Sequence, residues 1–127
     1  MSGLDPAELV RQFIRPWNSD DAAERRRLIL GTCAEDIEVF SPYGVTRGIE
    51  EQLTEIGNFR QRYPHGACVA RVLAEHHGEI LFTWRTTFGD DQTPELTGID
   101  VLRLDEEGRI ALSLSFSPVA QPPVKQG

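Results

Sequence analysis

The chain has 127 residues, 39% hydrophobic and 26% charged, which suits one globular domain with its own core and argues against a disordered chain. With 13 Lys and Arg against 20 Asp and Glu, the net charge is -7 and the isoelectric point about 4.9. The one basic cluster, Glu24 to Arg27, lies among acids on a predicted helix face, so nucleic acid is not an expected partner.

The first predicted helix covers residues 6–17. Asp5 is placed to cap it, Pro6 suits the first helical position, and Leu9, Val10, Phe13, Ile14 and Trp17 form one apolar stripe. Asn18 to Asp21 make a turn and cap, and a second helix is expected to run to about Leu30. The period then changes. Ile37, Val39 and Ser41 alternate with Glu38 and Phe40, and the Ser41-Pro42-Tyr43-Gly44 stretch is a tight turn, so a short hairpin is predicted. A third amphipathic helix is expected over residues 49–62, stopped by the stretch from Tyr63 to Gly66.

Four strands should follow, at residues 67–75, 79–88, 95–104 and 109–117, separated by turn-rich stretches. Residues 119–127 are polar and Pro-rich and are expected to be disordered, which leaves residues 1–118 as a single domain. The order of elements predicts an α+β fold, in which an antiparallel meander buries one face under three helices.

In the last strand Ile110, Leu112, Leu114 and Phe116 alternate with Ala111, Ser113, Ser115 and Ser117, so the apolar set is predicted to point inward. In strand 79–88 the inward set is Ile80, Phe82 and Trp84, extended by Thr86. Pairing across the intervening turn then puts Phe82 opposite Asp100, or Thr83 after a one-residue slip. Asp100 shares its parity with Leu102 and Leu104, so its carboxyl is predicted to face the core side. A carboxylate is costly there unless it is paired or neutral. Two readings follow: a pocket acid with a raised pKa, or a structural acid paired with a buried arginine such as Arg71 or Arg85, or with a backbone group.

Cys33 and Cys68 have no partner at metal-ligand spacing and are expected to be buried and reduced. His76 and His77 sit in a turn and diverge, so no metal site is expected, and no motif asks for a cofactor. The first residues carry neither a basic region nor an apolar run, and no stretch is apolar over the ~20 residues a membrane span needs, so a cytoplasmic protein is expected.

The stretches AEDIEVFSPYGVTRG and GIDVLRLDEEGRI carry a resemblance. From about Leu9 to Phe116 the chain resembles the nuclear transport factor 2-like superfamily, in particular its ketosteroid-isomerase-like and SnoaL-like (polyketide cyclase) branches. That resemblance implies a cone-shaped curved sheet wrapped around three helices, with an internal pocket. In the steroid isomerases a protonated aspartic acid on the fifth strand donates a hydrogen bond to the developing enolate oxygen, and Asp100 stands at the matching place. Their general base corresponds to Ser41 and their second donor, a tyrosine, to Phe13; neither residue here has the required group. The cyclases carry an acid-base aspartate on the sixth strand, where this chain has ALSLSFSP.

The resemblance therefore implies a pocket around Asp100, with Phe13, Trp17, Ser41, Tyr43, Phe59, Tyr63, Phe82, Trp84, Leu102 and Phe116 as candidate ligand contacts. The expected ligand is a small apolar or carbonyl-containing molecule, acted on by proton transfer next to the carbonyl, as in an isomerase or cyclase. The alternative is a non-catalytic module that holds a hydrophobic ligand. A homodimer is expected through the open sheet face bearing Thr83, Arg85, Thr87, Ile99, Val101 and Arg103.

Overall fold

A computed structural model describes residues 4–118; the tail expected to be disordered lies outside them. Asp5 caps the first helix, α1 (Pro6–Ile14), by accepting the Glu8 amide at 2.8 Å. The helix ends before the predicted Trp17. Pro16 has no amide hydrogen for an i to i−4 bond, and its ring would meet the carbonyl four residues back, so Arg15–Asn18 tightens into a 3-10 turn. Asp21 caps α2 (Ala22–Thr32), accepting from the amides of Ala23 and Glu24. This helix outruns its expected end, and the Thr32 hydroxyl donates to the Leu28 carbonyl at 2.9 Å in the last turn.

Strands β1 (Cys33–Ser41) and β2 (Gly44–Arg47) form the hairpin, and α3 (Ile49–Arg62) follows with the predicted limits. The remaining strands are β3 (Ala67–His76), β4 (Glu79–Thr87), β5 (Leu96–Leu104) and β6 (Ile110–Phe116). All six form one open, curved sheet in the order β2-β1-β6-β5-β4-β3. The predicted meander is antiparallel, but β1 joins it through a parallel seam with β6, so the sheet is mixed. Cys33 pairs with Ile110 and Val39 with Ser113, contacts that span most of the chain and leave no local signature.

The core lies between the helices and the inner sheet face, where Ile29, Ile37, Ile56, Phe82, Leu102 and Ile110 are almost wholly buried. Both cysteines are free and buried, and burial pushes the Cys33 thiol up to about 11. Among the described residues no helix is long and apolar enough to cross a membrane.

One irregularity reverses an expectation. Leu104 pairs with Ile110 but Arg103 pairs with Leu112, so Ala111 is an extra residue in β6, a β-bulge. Beyond it the parity of β6 flips. Ser115 and Ser113 fall opposite Asp100 and Leu102 on the helix side, whereas Leu114 and Phe116 fall opposite Val101 and Ile99 on the outer side. Of the four apolar residues predicted to point inward, only Ile110 is fully buried in the core, and Phe116 is 59% exposed. The outer face is accordingly more apolar than expected, and its arginines are engaged: Arg85 with Glu95 at 3.8 Å and Arg103 with Glu79 at 3.0 Å.

Candidate functional site

Between the inner sheet face and the helices lies a cavity of about 470 Å³, within the range of small-molecule sites. Phe13, Ile14 and Trp17 wall it on one side and Phe59 on another. The sheet contributes Val39 and Ser41 from β1, Trp84 and Thr86 from β4, Asp100 from β5, and Ser113 and Ser115 from β6. Tyr43 and Glu55 also line it and are exposed, so they stand where the cavity meets solvent.

The wall is fixed by two polar devices that the sequence does not advertise, the first of them buried. Arg60, only 7% exposed, donates to the carbonyls of Trp17 at 3.1 Å, Pro64 at 2.8 Å and Gly66 at 2.6 Å, and pairs with Asp20 at 2.9 Å. The Asn18 side chain donates to the Cys68 carbonyl at 2.8 Å and accepts its amide at 2.6 Å, as a strand would. Together they hold the 3-10 turn and its Trp17 against α3 and the edge strand β3. Trp17 then meets Phe59 edge-on, with ring centroids 5.6 Å apart.

Asp100 is 7% exposed and, as the first of the predicted registers requires, pairs with Phe82 across β4. Neither candidate arginine reaches it. Arg71 is exposed on β3, Arg85 is paired with Glu95, and no salt bridge among the described residues includes Asp100. Its hydrogen bond comes from Trp84, whose Nε1 donates to Oδ1 at 2.7 Å. Burial pushes the carboxyl above its ordinary value, opposed by the nearby Ser115 hydroxyl, the Trp84 indole and the Ser113 hydroxyl. An indole nitrogen only donates, so when the acid is neutral Oδ1 serves as its carbonyl oxygen and the proton lies on Oδ2.

Trp84 reaches that carboxyl because Gly98, its partner across β4 and β5, carries no side chain. A Cβ on Gly98 would lie 2.3 Å from the indole Cζ2 and 2.4 Å from the Phe116 carbonyl oxygen. Beside this pair Ser113 is 1% exposed, and its hydroxyl lies near the carboxyl without closing a hydrogen bond to any group. Ser41 is occupied in its own turn, donating to the Gly44 carbonyl at 3.3 Å and accepting the Tyr43 amide at 3.1 Å.

Of the residues singled out in the sequence, Asp100, Phe13, Trp17, Ser41, Tyr43, Phe59 and Trp84 share the cavity wall. Tyr63 stands behind it, with its ring 5.5 Å from Phe59 and 4.7 Å from Phe88. Phe82 and Leu102 are fully buried core residues off the wall, and the bulge turns Phe116 to the outer face. Ser113, Ser115, Glu55 and Gly98 were not legible as site residues: the alternation of β6 pointed the serines outward, and Glu55 lies on the polar side of the predicted α3 stripe.

The sequence pattern of the SnoaL-like domain family matches residues 10–113. Among solved structures, the chain is similar to a proposed isomerase of the SnoaL-like family from Agrobacterium tumefaciens strain C58. The two share 27% identity over 88% of this chain and 96% of that one, with a TM-score of 0.76. A protein of unknown function with a cystatin-like fold from Methylobium petroleophilum PM1 shares 15% identity over 91% and 76% of the two chains, with a TM-score of 0.74. A proposed SnoaL-like polyketide cyclase from Jannaschia sp. CCS1 shares 14% identity over 92% and 90%, with a TM-score of 0.66. No curated protein matches the sequence significantly.

Proposed function

The chain belongs to the SnoaL-like domain family of the nuclear transport factor 2-like superfamily, and we propose that it binds a small, largely apolar carbonyl compound and moves a proton next to the carbonyl. The observation that carries this reading is Asp100: a buried carboxyl on a mostly apolar wall, held by an indole donor and paired with no cation. In this reading burial keeps the acid in its protonated form, which donates to an oxygen on which negative charge develops.

Glu55 is the proton acceptor in this reading, because it and Asp100 are the two carboxyl groups on the cavity wall. It removes a proton from the carbon beside the carbonyl, and the C–H electron pair becomes the carbon–carbon double bond of an enolate. The oxygen of that enolate is held by the Asp100 proton; where the ketone carries a double bond beyond that carbon the enolate is a conjugated dienolate, and returning the proton to its far carbon moves the double bond and completes an isomerisation. The similarity to the Agrobacterium protein supports an isomerase over other classes. A neutral bicyclic ketone, 2-tetralone, tests the reading through exchange of its α-protons for deuterium, which Glu55→Gln is expected to slow about 10²–10⁴-fold.

A second reading, ligand holding without turnover, draws on Ser41, which stands at the family's base position with its hydroxyl tied into a turn. It predicts tetralone binding with no deuterium incorporation. In either case the outer face around Ile99, Val101, Leu114 and Phe116 is the surface proposed to pair with a second copy of the chain.

A further inference from the structure

The bulge at Ala111 has a chemical consequence. It brings the Ser113 hydroxyl to the helix side of the sheet, beside Asp100, where the side chain is 1% exposed and lines the cavity. Its neighbours across the two flanking strands are Leu102 and Val39, which offer no acceptor from their side chains. The Ser113 hydroxyl closes no hydrogen bond, and the acceptor near it is the Asp100 carboxyl, whose pKa it helps to lower. A buried hydroxyl in that state is unfavourable, and Ser113 is the one described residue with a fully buried side-chain polar atom so placed.

We propose that Ser113 is the second hydrogen-bond donor to the ligand oxygen that Asp100 meets, so that the buried end of the ligand is a single ketone oxygen. The assignment rests on Asp100 acting as proposed above. Trp84 occupies Oδ1 of Asp100 and the Ser115 hydroxyl lies opposite the same carboxyl, so the Oδ2 proton and the unpartnered Ser113 hydroxyl are free to meet a ligand on this face of the sheet. A ketone oxygen has two lone pairs and no proton, and so satisfies both.

The remaining wall narrows the ligand further. Among the described residues it carries no lysine, arginine or histidine to balance a ligand charge, and its acidic groups are Glu55 and Asp100. A carboxylate or phosphate ligand would lose its hydration without gaining a cation, so the class is a neutral ketone with an apolar body. The body lies against Phe13, Trp17 and Phe59, and the oxygen enters first.

Calorimetric titration of the full chain with 2-tetralone and with tetralin, the same skeleton without oxygen, tests the assignment. The wild-type protein is expected to prefer the ketone. Ser113→Ala should weaken tetralone about five- to tenfold, as for one neutral hydrogen bond, with tetralin affinity unchanged. The infrared carbonyl stretch of bound tetralone should move up towards its value in apolar solvent. The melting temperature should not fall, because the lost hydroxyl had no partner.

If Ser113→Ala keeps the ketone preference while Asp100→Asn reduces it, the Ser113 assignment is overturned and the role of Asp100 stands. A drop in melting temperature with the stretch unmoved would make the hydroxyl structural and overturn it too. Equal wild-type affinity for tetralone and tetralin would overturn both.

Discussion

The Trp84 indole nitrogen donates to Asp100 Oδ1 at 2.7 Å, and the indole lies over Gly98, where an added Cβ would come within 2.3 Å of its Cζ2. That relationship orients the carboxyl, because a group that can only donate fixes which oxygen carries the proton. Trp84→Phe keeps most of the ring and removes the donor. It should cost about 1 kcal/mol of stability by chemical denaturation, raise the carboxyl pKa further, since the indole opposes the effect of burial, and slow tetralone exchange.

Gly98→Ala tests the same geometry from the other strand. The new methyl group would meet the indole and, at 2.4 Å, a backbone carbonyl that cannot swing away. The expected loss is about 1–3 kcal/mol, typical of an overpacked site. Tryptophan fluorescence should report a displaced indole, with tetralone exchange falling as in Trp84→Phe. A variant as stable as wild type with unchanged fluorescence would mean the indole does not lie over Gly98.

Asp100 also makes stability depend on pH. Its folded pKa is raised above the ordinary 3.8 mainly by burial, so the folded state binds the proton more tightly than the unfolded chain. The contribution is complete below the unfolded value and is lost as pH rises through the folded one. Asp100→Asn should flatten that descent in a series of denaturation curves, gaining on wild type as pH rises. A variant that loses stability relative to wild type over the same range would mean the carboxylate is stabilised by a partner.

The outer sheet face gives an expectation for assembly. Ile99 at 43% exposure and Phe116 at 59% sit opposite each other across β5 and β6, with Val101 and Leu114 beside them. Light scattering should find a dimer at micromolar concentration, and Phe116→Glu should shift it to monomer without unfolding the domain. A monomeric wild-type protein would remove this surface from consideration.

Much of this fold could be read from residues whose signal is local. Asp5 and Pro6 set the start of α1, Ile49 to Arg62 repeat at helical spacing, and the parity of Asp100 with Leu102 turned the acid inward before any register was known. The missed features depend on partners far along the chain. The parallel seam joins Cys33 to Ile110, and the bulge at Ala111 exists because β5 and β6 slip by one residue there, which no alternation within β6 encodes. The slip also changed the site, since it exchanged Phe116 for Ser113 and Ser115 on the cavity side. Arg60 falls inside the predicted third helix with nothing local to mark it, yet it is a buried clamp, because its carbonyl partners come from turns whose geometry the sequence does not fix.

The most direct test of a protonated Asp100 is the pH dependence of 2-tetralone α-proton exchange in wild type, Asp100→Asn and Asp100→Leu. With Oδ1 held by Trp84, the asparagine amide still presents a weaker, pH-independent donor, whereas leucine presents none. Wild-type exchange should therefore fall as pH rises through the raised carboxyl pKa. Asparagine should be slower without that fall, and leucine should lose about 10²–10³-fold. A wild-type rate that instead rises as Asp100 ionises, with asparagine as inactive as leucine, would make the carboxylate a base and contradict the account.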